Sequence, residues 1–156
     1  MSCYLMTYDE KMSEKLIENL PCSAQLEMKC LLNDYRLMFC KNGNKAVLSI
    51  EKREGAETPV VIWKTNTADV NIFEKIYPKD RYERKVFLLK AEGITLPVFG
   101  YLAKSREAGL PDGDYLEMTA AAYEEHDFDF KYIEEAADFA ADHVNGKTDK
   151  EQGGEV

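Results

Sequence analysis

Apolar positions in this chain follow three patterns: short unbroken runs, strict alternation with polar residues, and recurrence at helical spacing. The first run, Cys3-Tyr4-Leu5-Met6-Thr7-Tyr8, stops at Asp9-Glu10-Lys11, which suits a buried strand leading into a helical start. Ser13 to Leu20 reads as a helix ended by Pro21, because a proline ring removes a backbone donor and turns the preceding residue away from helical angles. From Gln25 the period becomes two, with Leu26, Met28 and Cys30 on one face, then Tyr35, Leu37 and Phe39 after a break at Asn33-Asp34. These are half-buried strands.

Lys41-Asn42-Gly43-Asn44 carries turn chemistry, and Ala46 to Lys52 reads as the returning strand of a hairpin. Pro59-Val60-Val61-Ile62-Trp63 is nearly continuous and β-branched, which predicts a central strand covered on both faces, with Trp63 in the core. Thr67 is the expected N-cap of a short helix from Ala68 to Ile76 that buries Ile72, Phe73 and Ile76 before Pro78. Tyr82 to Lys90 and Ile94 to Ala103 form a second hairpin around Glu92-Gly93. After Gly109-Leu110-Pro111-Asp112-Gly113, Asp114 is the expected cap of a helix from Tyr115 to Glu125. Phe130 to Val144 predicts an amphipathic helix with Ile133, Ala136, Ala137 and Ala140 inward. The pattern predicts one mixed α/β domain over 1–145, a sheet of short strands with helices gathered late, and a disordered tail over 146–156, which lacks an apolar face.

Composition narrows the function classes. A length of 156 residues suits one core, and a 45% hydrophobic fraction with one Trp, nine Tyr and seven Phe argues against disorder. Twenty-nine acids against 20 bases give a net charge of -9, which repels a phosphate backbone, so no nucleic-acid partner is expected. The late acids from Glu124 to Asp142 read as a solvated helical face, with His126 and His143 at its surface. Cys3, Cys22, Cys30 and Cys40 lie seven or more residues apart, without a C-x-x-C pair or a neighbouring histidine. They are expected to be reduced thiols rather than metal ligands. No run has the form of a signal peptide or the length of a membrane span, so no membrane partner and a cytoplasmic location are expected.

Six ordered segments give the chain a family resemblance. They are the opening strand Tyr4 to Tyr8; Leu32-Asn33-Asp34-Tyr35-Arg36-Leu37-Met38-Phe39; and Thr58-Pro59-Val60-Val61-Ile62-Trp63 followed by Ala68-Asp69. Tyr82-Glu83-Arg84-Lys85, the Tyr101 strand, and Gly109-Leu110-Pro111 with Tyr115 and Tyr123 complete the set. Over most of residues 3 to 140 the chain resembles the γ-glutamylcyclotransferase-like family, which includes the AIG2-like proteins. The resemblance implies a small, partly closed β-barrel of mainly antiparallel strands flanked by helices, with a polar cleft at one mouth. Active members convert γ-glutamyl amines or peptides to 5-oxoproline and a free amine, with no metal and no organic cofactor. A Glu moves the proton as the substrate's amine attacks its own γ-carbonyl. A Tyr-Gly-Ser-Asn loop after the first strand cradles the substrate's anionic end.

Laid on that pattern, Tyr8 matches the family Tyr, but Asp9, Glu10 and Lys11 stand where Gly, Ser and Asn belong. Asp9 is expected to resist the backbone angles that Gly permits, and Lys11 is expected to be solvated. Tyr77 takes the position of the family Glu, and Glu74, one turn earlier, is the substitute base. Tyr115 matches a Tyr that borders the cleft, and is equally an ordinary half-buried helix residue. The catalytic candidates are thus Glu74 and Tyr77, and the binding candidates Tyr8, Asp9, Glu10, Lys11 and Tyr115. Two functions stay open. One is a degenerate site that serves as a small-molecule-binding or interaction module; the other is an active γ-glutamylcyclotransferase.

Overall fold

The computed structural model describes the backbone of residues 1–153 and the side chains of residues 1–144. Strand β1 is Ser2–Thr7, β2 is Gln25–Asn42, β3 is Lys45–Asn66, β4 is Tyr82–Ala91 and β5 is Ile94–Ala103. Helix α1 is Glu14–Glu18, α2 is Val70–Ile76, α3 is Gly113–Glu125 and α4 is Lys131–Gly153. The backbone of α4 runs past its expected end at Val144 to Gly153, while residues 154–156 lie outside the described residues and the disorder expected over 146–156 stays an expectation. No helix among the described residues is long and apolar enough to cross a membrane.

The five strands form one open sheet in the order β2-β3-β1-β5-β4, the partly closed, mainly antiparallel arrangement expected. β1 sits in the middle, antiparallel to β3 through pairs such as Leu5↔Trp63 and parallel to β5 at Leu5↔Phe99. The Pro59 to Trp63 run is therefore one place from the centre. Its residues Val60 to Trp63 are all buried, as its unbroken apolar pattern requires.

The two strands read separately at Ala46 to Lys52 and Pro59 to Trp63 are one bent strand, β3. The break expected at Asn33-Asp34 is a register shift in the β2–β3 pair, where Asn33 pairs with Glu57 but Tyr35 with Lys52, so that Arg53 to Ala56 of β3 loop out opposite Asp34 alone. Asp34 adopts a positive φ of 66° there, and its Oδ1 accepts the Gly55 N–H at 3.0 Å, which satisfies the backbone of the looped-out partner. Extra residues on one strand bend and twist the pair, so one long hairpin wraps around a barrel wall. The hairpin itself turns at Gly43, φ 69°.

Helix caps differ from expectation by one or two residues. Asn66 caps the turn before α2, accepting from Ala68 N at 3.1 Å, while Thr67 lies inside a single 3-10 turn. Asp112, not Asp114, caps α3 by accepting from Tyr115 N at 2.8 Å. His126 is another correction: it is buried, with Nε2 2.6 Å from the Met12 carbonyl. The chain reverses after α3 through Asp127, φ 57°, and this turns the imidazole inward beneath the segment that follows β1. α4 packs on β2, with the Arg36 guanidinium 3.7 Å over the Phe139 ring and Tyr132 Oη donating to Glu57 at 2.8 Å.

Candidate functional site

The segment between β1 and α1 supplies the densest cluster of charged side chains buried in the fold. Its backbone is ordinary. Asp9 has φ -110° and ψ -166°, extended angles open to any residue, so the strain expected from replacing glycine is absent. Asp9 caps a 3-10 turn over Glu10–Met12, its Oδ1 accepting Lys11 N at 3.1 Å, and Ser13 in turn caps α1.

The side chains of this turn point into the protein. Asp9 is 1% exposed. Its Oδ1 also accepts the Tyr77 hydroxyl at 2.9 Å, whereas Oδ2 has no hydrogen-bond partner and lies 3.8 Å from Lys11 Nζ. Glu10 accepts Tyr115 Oη on one oxygen at 2.7 Å and Lys11 Nζ on the other at 3.0 Å. Tyr115 Oη also accepts the Leu48 N–H at 2.9 Å, which ties α3 to the barrel through this cluster. The Lys11 ammonium lies 4.5 Å from the centre of the Tyr77 ring and 5.8 Å from that of Tyr82, within reach of cation–π attraction. The lysine expected to be solvated is thus enclosed, its side chain only 14% exposed. Two carboxylates and two aromatic rings outcompete water for it.

Charge states follow from this packing. Burial, followed by the neighbouring Glu10 charge, pushes the Asp9 carboxyl up to about 6, against the opposing pull of Lys11 and the Tyr77 hydrogen bond. For Lys11, burial favours the neutral amine, but the Asp9 and Glu10 carboxylates outweigh it and hold the ammonium charged. Burial and then Asp9 raise the Tyr77 phenol well above its ordinary range. Burial and then Glu10 do the same to Tyr115. Both phenols are therefore neutral donors at physiological pH.

Tyr8 is buried and donates its hydroxyl to the Tyr101 carbonyl at 2.6 Å, so it buttresses the cluster from beneath. The structure brings together Asp9, Glu10, Lys11, Tyr77 and Tyr115. Glu74 has other partners: Tyr101 Oη at 3.3 Å, Arg84 Nη1 at 3.2 Å and Lys79 Nζ at 3.5 Å. It lines a hollow of about 310 Å³ with Tyr77, Tyr82, Arg84, Tyr101 and Lys104. Tyr77 stacks on Tyr101 at 4.7 Å between centroids and meets Tyr82 edge-on at 5.1 Å. Sequence reasoning missed Tyr82 and Tyr101 as parts of this aromatic wall, although both sit on one hairpin flanking the tyrosine-bearing end of α2.

Among solved structures, a γ-glutamyl cyclotransferase superposes on this chain with a TM-score of 0.75 over 87% of this chain and 86% of that one, at 20% identity. The fold is γ-glutamylcyclotransferase-like. An uncharacterised protein from Homo sapiens matches with a TM-score of 0.73 over 86% of each chain at 21% identity. YkqA from Bacillus subtilis matches with a TM-score of 0.72 over 90% of this chain and 54% of that chain at 14% identity. No family model matches the sequence, and no curated protein matches it. This γ-glutamylcyclotransferase-like domain shares its architecture with those structures at identities that speak for the fold alone.

Proposed function

We propose that this chain is a small-molecule-binding module built on the cyclotransferase-like fold, with the acyl-transfer chemistry lost. The observation that carries the reading is the Lys11 ammonium, which lies 3.0 Å from Glu10 Oε2 and 4.5 Å from the Tyr77 ring centre. It fills the loop that the family resemblance assigns to the substrate. A γ-glutamyl substrate would bring its α-carboxylate toward Asp9 and Glu10. Each like charge at 4 Å costs about 1 kcal/mol in water and more where water is excluded. Tyr77, at the position the resemblance gives to the acid, is a neutral donor already committed to Asp9. Glu74 is ion-paired with Lys79 at 3.5 Å and Arg84 at 3.2 Å. The ligand would enter the hollow lined by Tyr77, Tyr82 and Tyr101, whose rim carries Lys79, Arg84 and Lys104 beside the carboxylates of Glu74 and Glu83.

The test pairs two measurements on the purified chain: 5-oxoproline release from a panel of γ-glutamyl amines and peptides, and thermal shift against small molecules, since a ligand selective for the native state raises apparent stability. No release, with a stabilising shift from at least one compound, is the expected outcome. Brisk release near neutral pH would overturn the reading.

A second reading, an active γ-glutamylcyclotransferase, draws on Asp9. Its carboxyl is buried, raised to about 6, and leaves Oδ2 without a hydrogen bond, properties that suit a general base. Under this reading Asp9→Asn abolishes release of 5-oxoproline. Loss in Glu74→Gln instead would place the base on α2.

A further inference from the structure

The sheet ends on β4, whose only strand partner among the described residues is β5. An edge strand turns alternate N–H and C=O groups toward an empty side. Here that side faces β2 across a seam, bridged at one point where the Tyr35 and Phe87 rings meet edge to face at 5.3 Å. Two hollows lie along the seam, of about 250 and 300 Å³, and both are lined by Leu32, Asn33, Asp34 and Leu88. Together they run along β4 from Val86 to Lys90, five residues or about 16 Å of extended chain. On the outward side of this stretch Val86 and Leu88 are 64% and 68% exposed, and Leu31 across the seam is 40% exposed. Large aliphatic side chains in consecutive outward positions of an unpaired edge are normally avoided or guarded, because they invite another strand.

Charge decides which strand. In a chain of net charge -9, the charged groups lining the two hollows are Lys52 and Lys90 against Asp34. Asp34 already accepts the Gly55 N–H. Lys85 adds a further exposed cation on the same strand. Antiparallel self-pairing of β4 about Phe87, the middle of the exposed stretch, would set Arg84 opposite Lys90, and like charges directly opposite destabilise a pair, which disfavours that register of a second copy.

We propose that the free edge of β4, with the hollows between it and β2, docks an extended segment of a partner protein in which apolar and acidic residues alternate. Backbone hydrogen bonds to the edge supply affinity, and alternate side chains reading Val86, Leu88 and the flanking lysines supply selectivity. The surface is separate from the Lys11 cluster, so the proposal stands whether or not the hollow beside Tyr77 holds a ligand.

The test titrates the full chain into a fluorescein-labelled hexapeptide alternating valine with glutamate, read by anisotropy, with a valine–lysine hexapeptide and a scrambled one alongside. The valine–glutamate peptide is expected to bind in the micromolar range and to shift the backbone amide resonances of Val86 to Lys90. Binding is expected to weaken by about tenfold or more in Leu88→Asp and in Lys90→Glu, variants of exposed positions that keep the parent melting temperature. Absent binding, equal binding of the lysine peptide, or resonance shifts confined to the Tyr77 hollow would overturn the proposal. So would sedimentation showing β4-dependent self-association that the peptide does not reverse.

Discussion

The Tyr77 hydroxyl donates to Asp9 Oδ1 at 2.9 Å across 68 residues of sequence. The residue at the end of α2 thus offers a proton to a carboxyl in the loop after β1, and the nearest strong cation, Lys11, comes from the same loop as the carboxyl. Acid, phenol and ammonium form one buried unit, and its energetics can be measured group by group.

Asp9 should leave a signature in stability against pH. Its carboxyl is raised from 3.8 to about 6, so between those values the folded chain keeps a proton that the unfolded chain has lost. Stability therefore falls as pH rises from about 4 to about 6 and levels off above. At about 1.4 kcal/mol per pKa unit, the effect is on the order of 2–3 kcal/mol. In Asp9→Asn this component of the slope should vanish, leaving the variant more stable than the parent at pH 7 and similar at pH 4. Urea unfolding across that range checks it, and an unchanged slope would sink the assignment.

Lys11→Met removes the ammonium and leaves Asp9 and Glu10 facing each other. Taking one partner from a buried pair costs about 3 kcal/mol or more. Because the lost cation opposed the rise of the Asp9 carboxyl, the loss should be larger at pH 7 than at pH 5. Denaturant melts at both values test this; a change below about 0.5 kcal/mol would show Lys11 to be a solvated surface residue.

Tyr77→Phe keeps the ring stacked on Tyr101 but deletes the donor to Asp9. The cost should be about 1–3 kcal/mol, the scale for stripping a partner from a buried polar group. Since that hydrogen bond lowers the Asp9 pKa, the carboxyl should titrate above about 6 in the variant. Carbon-13 NMR of the Asp9 carboxyl reads the direction, and a downward movement would contradict the geometry.

Trp63 Nε1 donates to Thr7 Oγ1 at 2.9 Å, and Thr7 Oγ1 donates onward to the Val61 carbonyl at 3.3 Å. A double-mutant cycle of Trp63→Phe and Thr7→Val should give a coupling of about 1 kcal/mol. Strict additivity would mean that Trp63 contributes by packing alone.

Much of the barrel was legible in local pattern. The hairpin turn at Gly43, the turn at Glu92-Gly93 and the apolar run into Trp63 each announce themselves within a few residues. The register shift at Asp34 did not, because polar residues inside a strand pair look like a loop until the partner strand, with Gly55, is known. His126 and Lys11 were misplaced for the same reason. A charged or polar side chain is buried only when distant partners meet it, and those partners, Met12 for His126 and Tyr77 for the Lys11 loop, lie 114 and 66–68 residues away. The candidate site was therefore located by resemblance, while its chemistry emerged only from three-dimensional juxtaposition.

β1 is synthesised first, yet its neighbours are the far end of β3 and the middle of β5, as Leu5 pairs with Trp63 and Phe99. On a ribosome this strand must wait for β3 until about two fifths of the 156 residues are made, and for β5 until nearly two thirds are. Closure of such distant pairs is slow and exposes unpaired strands to wrong partners. Nascent chains halted before β5 should therefore be the ones that chaperones hold longest.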